Sequence, residues 1–357
     1  MDKNQLQANG KSKPMNSGFL KTRDNDFDAT KSFLIVSMIV AHSFQRMWMF
    51  YYDRNLTYYV TLGFIFLAGL TLGGAFYDKL LSNRSQFSWH VFSRGLKLFV
   101  IFLCANMIIM SMSPNLMDQF LSSEPSELLY ALINTTRGTD TFCYSFLILV
   151  PISLMFMVGL SLLIWKNRTL DWILLITGFI ALWVIETTRI LNYYAPKLMI
   201  VGCIAILLSK LLNSINWMAL RAPLSKWIIP IFVFYIAYQA ALVVYNPDAQ
   251  ILMQHYIIVT ALLLLAVYLS SYRLKLTAFR LVGLLNRCLA KYMLFAYLFH
   301  ILFLIILGKF IGSRGNWCFA MAISLLTLVV TILAGFTVDV LTKKYKMFNK
   351  LYALIFK

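Results

Sequence analysis

From about residue 32 to residue 341 the chain alternates long apolar stretches with short polar breaks. A helix rises 1.5 Å per residue, so about 20 mostly apolar residues cross the hydrocarbon core of a bilayer. Windows of that kind fall at about 32–52, 57–77, 95–113, 143–165, 170–188, 197–212, 227–246, 252–272, 291–311 and 317–341, the sixth being short. They predict ten helices. The longest polar break, 114–142, holds SEPSELLYAL, which predicts a short amphipathic helix capped by Ser123 or Ser126. The stretch 273–290, RLKLTAFRLVGLLNRCLA, mixes basic and apolar residues and predicts a segment lying along the membrane surface. No repeat of fixed period and no large soluble region interrupts the pattern. The expected architecture is all-α: a polytopic integral membrane protein, about ten transmembrane helices in one bundle over 31–342. A disordered cytoplasmic tail (1–30) precedes it and a basic cytoplasmic tail (343–357) follows.

Composition supports this reading. Of the 357 residues 60% are hydrophobic and 13% charged, and the mean hydropathy is +0.74. The formal net charge is +18. In a soluble protein that charge would suggest nucleic acid, but here no basic face on a soluble domain is available to carry it. Placing the N-terminus in the cytoplasm puts most Lys and Arg in the inner segments. Arg54, Arg137, Arg189, Lys197, Lys309 and Arg314 are the outer ones, an asymmetry of about four to one. Both termini are therefore expected to be cytoplasmic. The five cysteines are scattered and form no CxxC pair, so neither a disulfide framework nor a metal site is expected. The first thirty residues lack an apolar region before a cleavage site, so the first apolar segment is expected to be retained as helix one.

Ionisable groups at membrane depth cost about 2.5–3.5 kcal/mol to insert and default to a functional role with a partner. In FDATKSFLIVSMIVAH, Lys31 and His42 are eleven residues apart, three turns plus about 20°. They share a face about 16 Å apart along the axis. Asp28 precedes Lys31 by three residues and can pair with it, and Arg46 extends the line outward. Such a stripe must look into protein or a water-filled cavity. In HVFSRGLKL, His90, Arg94 and Lys97 share a face at i, i+4, i+7. That set suits phosphate binding and equally suits positive-inside anchoring. His300 sits in LFAYLFHILFL, where a hydrogen-bonded packing role is commoner than a catalytic one. Glu186 and Asp339 fall near span ends and are expected to be interfacial. Gly63, Gly69, Gly73 and Gly74 in the second window predict close helix–helix approach.

Together these pieces resemble the acyltransferase family 3 superfamily of integral membrane acyltransferases, including its sugar O-acetyltransferase-like and glucan succinyltransferase-like branches. Asp28, Lys31 and His42 match D-x-x-[R/K], ten residues, then His, with lysine in the commoner arginine's place. FLAG ends at Gly69, Arg94 and Lys97 match R-x-x-R with one lysine, and Tyr297 and His300 match Y-x-x-H. The resemblance implies transfer of an acyl group, most simply acetyl, from a cytoplasmic acyl-CoA co-substrate to a glycan or lipid-linked sugar. It implies His42 as general base, with Asp28 and His300 in the catalytic set. Lys31, Arg94, Lys97 and His90 would bind the acyl-CoA phosphates. The expected setting is a bacterial inner membrane, with the lipid bilayer, donor and acceptor as partners and no metal. The competing class is a secondary transporter or glycan flippase with structural histidines. The charged stripe of helix one has no counterpart in helix six, which counts against the duplicated halves many transporters show.

Overall fold

A computed structural model describes residues 24–48, 54–75, 84–111, 148–164, 167–188, 194–213, 217–245, 253–311 and 316–356. The predicted helix within 114–142 and residues 1–23 lie outside the described residues, as do the side chains of Arg46 and Glu186. No strand occurs among the described residues. The α-helices run α1 Asn25–Trp48, α2 Arg54–Ala75, α3 Arg84–Ser111, α4 Leu149–Ile164, α5 Arg168–Thr188, α6 Tyr194–Leu212 and α7 Trp217–Leu224. They continue with α8 Ile228–Tyr245, α9 Met253–Arg273, α10 Arg280–Leu285, α11 Met293–Ile311, α12 Trp317–Lys344 and α13 Lys346–Phe356. A π-helical turn, Asn286–Ala290, follows α10. A helix occupies each of the ten apolar windows. Among the described residues four are long and apolar enough to cross a membrane: Phe87–Ile109 of α3, Arg168–Ile185 of α5, α11 and α12.

α1 begins at Asn25, ahead of its apolar window, because Asp24 caps it. The Asp24 carboxylate accepts from the backbone N–H groups of Asp26 (2.9 Å) and Phe27 (3.3 Å). Asp26 and Asp28 add negative charge in the first turn, where the helix dipole favours it. Asn167 caps α5 in the same way, through Thr169 and Leu170, and Asn316 caps α12 through Cys318.

Two helices organise the packing. α6 packs against α2, α4 and α5; α1 packs against α2, α9, α11, α12 and the π turn. The α2–α6 contact is close because Gly69 and Gly73 face the α6 backbone. A Cβ on Gly69 would lie 2.5 Å from the Gly202 carbonyl, and one on Gly73 would collide with that of Ile206. The Ser209 hydroxyl donates to the Leu70 carbonyl at 2.8 Å across the same seam. Lys210, near the end of the sixth window and counted with the inner-side cations, turns into the bundle. It pairs with the buried Asp171 of α5 at 2.7 Å and donates to the Leu162 carbonyl of α4 at 3.3 Å. Outward, α5 exposes Trp172, Ile173, Ile176, Ile180 and Trp183, and α12 exposes Met321, Leu325, Val329, Leu333 and Phe336. Apolar stripes of that length suit lipid, not water.

The glycine seam generates a paired expectation. Gly73→Ala forces α2 off α6 and should cost about 1–3 kcal/mol, read as a lower unfolding temperature in detergent. Gly283→Ala, whose Cβ would meet nothing within 4 Å, should leave that temperature unchanged or higher. Equal effects of the two substitutions would contradict the close-approach account.

Candidate functional site

α11 is apolar along nearly its whole length, and His300 is fully buried within it. Its Nδ1 lies 2.9 Å from the Ala296 carbonyl. A carbonyl can only accept, so Nδ1 carries the hydrogen and Nε2 of the neutral ring carries the lone pair. That Nε2 is buried and meets no partner among the described residues. α1 packs on α11 and sets His42 against this ring: the two imidazoles stack, centroids 5.6 Å apart and planes 27° apart. His42 is half-buried, so it is the more accessible ring of the two. Its Nδ1 lies 3.1 Å from the Gln45 amide oxygen; donation to that oxygen leaves the lone pair on Nε2. Tyr297 meets His300 edge-on at 5.9 Å and Phe64 of α2 at 6.1 Å, closing the pair with aromatic walls.

At the other end of α1, Asp28 pairs with Lys31 at 3.2 Å, and the ammonium sits 4.7 Å from the Phe27 ring centroid. Lys31 lies about 16 Å along the axis from His42, and Asp28 about 21 Å. The structure thus joins His42 to His300 and Asp28 to Lys31, with most of a helix between the two pairs. His90, Arg94 and Lys97 stand on α3, which packs on α4, where the Ser153 hydroxyl donates to the Gly95 carbonyl at 2.7 Å. Arg94 sits 5.6 Å from the Phe156 ring centroid, Lys97 is half-buried and His90 is exposed. Arg94 lies in electrostatic range of Tyr352 on α13. Burial and the neighbouring Tyr292 push the Tyr352 hydroxyl above the ordinary phenol range, and the Arg94 charge draws it partly back.

Two polar clusters were not visible as sites in the sequence. At the mouth of α1, Arg221 lies 3.3 Å from Asp26 and 3.7 Å from Asp24, with its guanidinium 3.9 Å from the Tyr272 ring centroid. Tyr268 donates to Asp24 at 2.7 Å and Ser271 to Asp26 at 2.8 Å. Burial raises the Asp26 carboxyl above the ordinary carboxylate range, while the Ser271 and Arg221 contacts act against that rise. Ser32 donates to Asn286 at 2.9 Å, tying α1 to the π turn. The acidic residues ahead of the first apolar window were the available signal.

The second cluster centres on Asp339, whose side chain is fully buried. Its carboxylate accepts from Lys291 at 2.7 Å, Lys343 at 2.8 Å, Tyr292 at 3.0 Å and Arg287 Nε. The three cations remain partly exposed while the carboxylate is not. The reason is position: α12 buries Asp339 against the π turn, where Gly335 lets α12 approach the Cys288 carbonyl too closely for any Cβ. The i, i+4 spacings of Arg287 with Lys291 and of Asp339 with Lys343 were legible. Their convergence from different helices was not.

No family model, curated protein or solved structure matches the chain. Asp339→Asn should leave three like charges without their shared carboxylate and lower stability by about 2–3 kcal/mol. Adding salt should recover part of that loss by screening the exposed cations. An unchanged unfolding temperature would show that the carboxylate does not hold the cluster together.

Proposed function

We propose that the chain is a multi-pass membrane acyltransferase. It moves an acyl group, acetyl in the simplest case, from a cytoplasmic acyl-CoA to a hydroxyl of a glycan or lipid-linked sugar. The observation that carries the reading is the stacked pair of His42 and His300. These two histidines come from distant motif fragments that separately resemble the acyltransferase pattern, and in the fold they meet.

In this reading His42 Nε2 takes the proton of the acceptor hydroxyl. The oxygen attacks the thioester carbonyl, the carbon–sulfur bond breaks, and the CoA thiolate leaves and takes up the proton as the free thiol. His300 is a positioning residue: its ring is fixed by the Ala296 carbonyl, and the stack restrains the His42 ring against it. Lys31, held by Asp28, receives donor phosphate at the helix mouth, and the 16 Å to His42, roughly ten helical residues, leaves room for an extended pantetheine arm. Arg94, Lys97 and His90 supply further phosphate contacts from α3. Ten spans with both ends in the cytoplasm of a bacterial inner membrane belong to the same proposal. A helix in each of the ten windows supports them.

Transfer of labelled acetyl from acetyl-CoA to membrane glycans tests this directly. His42→Ala should insert and melt like the parent while transfer falls by roughly 10²–10⁴-fold. Full transfer by that variant would remove His42 as base. Arg94→Ala with Lys97→Ala should raise KM for the donor with little change in kcat, the signature of lost ground-state binding. An unchanged KM would reduce the pair to membrane anchors.

A further inference from the structure

The Asp339 cluster plays no part in the transfer chemistry above, and its charges do not balance. Three cations share one carboxylate, so the four groups carry two net positive charges. The side chains of Arg287, Lys291 and Lys343 are 46%, 35% and 57% exposed around a carboxylate that is 0% exposed. Arg287 engages Asp339 through Nε, which leaves its Nη fork to face an outside acceptor. Each lysine spends one N–H on the carboxylate and keeps others. The cluster is therefore a preset set of donors with excess positive charge, at the end of a helix long and apolar enough to cross a membrane.

Its surroundings are greasy. α12 breaks at Tyr345, whose backbone is extended, and α13 turns off beside the cluster. α13 has three faces. Phe348, Tyr352 and Phe356 pack inward around Tyr292, Phe295 and Val338. Lys346 and Lys350 lie on a second face. Met347, Leu351 and Leu354 lie on a third and are 82%, 49% and 67% exposed. Across the cluster, Leu281 and Leu284 of α10 are also exposed. A helix in water would not present that third face. A helix lying in the headgroup boundary would, with its cations toward the phosphates.

We propose that Arg287, Lys291 and Lys343, held in place by Asp339, bind the headgroup phosphate of an anionic phospholipid. The exposed apolar face of α13 lies in the adjoining acyl chains. The excess charge selects an anion, and the apolar flanks select a lipid over a soluble phosphate. Basic groups at a membrane face attract anionic lipid by an amount that corresponds to about fivefold in affinity per Lys or Arg. This site stands whether or not the chain transfers acyl groups.

The test is native mass spectrometry of the full chain released from vesicles of equal phosphatidylglycerol and phosphatidylcholine. The wild type should retain phosphatidylglycerol preferentially, and the preference should fade as salt rises. Lys343→Gln should weaken that retention about fivefold and Lys291→Gln with Lys343→Gln about 25-fold, while Lys343→Arg retains it. Arg287 still answers Asp339 in these variants, and their unfolding temperatures check the fold. Equal retention of the two lipids by the wild type needs no variant and would overturn the proposal. So would undiminished retention in the double variant, or displacement of phosphatidylglycerol by millimolar inorganic phosphate, which would make the site one for soluble anions.

Discussion

In an apolar interior a charge or a hydrogen-bonding atom has no water to turn to, so the chain itself must answer it. The arrangement around α1 follows from that constraint. The helix carries carboxylates, a lysine and a histidine into an otherwise apolar bundle, and each brings a partner with it. Asp24 and Asp26 draw in Arg221, Tyr268 and Ser271. Asp28 holds Lys31, Ser32 holds Asn286, and His42 lies against His300. The partners come from α7, α9, the π turn and α11. Satisfying one helix therefore fixes the positions of several others.

The second centre obeys a different rule. α6 is joined to α2 by the absence of side chains, at Gly69 and Gly73, and to α5 by the buried Lys210–Asp171 pair. A buried pair of that kind adds little net stability, but losing one partner is costly because the other charge stays behind. α2 touches both centres, meeting α6 along its glycine seam and α1 where Leu34 packs at Gly63. Against this framework the bare Nε2 of His300 stands out. Arg221 Nε at the mouth of α1 shares that condition among the described residues, but only the His300 ring stacks on that of His42.

Much of the helical layout was readable because the length of an apolar run is a local property. Each window holds a helix, and the α2 glycines announced a close approach. The start of α1 was misjudged by a few residues because a cap is polar and falls outside an apolar window; Asp24 caps the helix and Asp26 lies in its first turn. The Asp28–Lys31 spacing was readable on one helix face. The meeting of His42 with His300 was not, since periodicity says which face a residue occupies and nothing about which distant helix covers that face. Asp339 shows the same limit. Its spacing to Lys343 lies in the sequence, but Arg287 and Lys291 reach it from a π turn and the residue after it, packed against α12, a meeting that local spacing does not show. Lys210 is the opposite case: a lysine near the end of the sixth apolar window reads as one more inner-side cation until Asp171 offers it a buried partner.

The central claim is that His42 and His300 form one site. A double-mutant cycle on acetyl transfer, with His42→Ala, His300→Ala and both together, tests it most directly. If the rings act as a unit, the double variant transfers no worse than the weaker single one, because once His42 is gone there is nothing left for His300 to position. Losses that multiply across the two substitutions, or transfer that survives both, would contradict it.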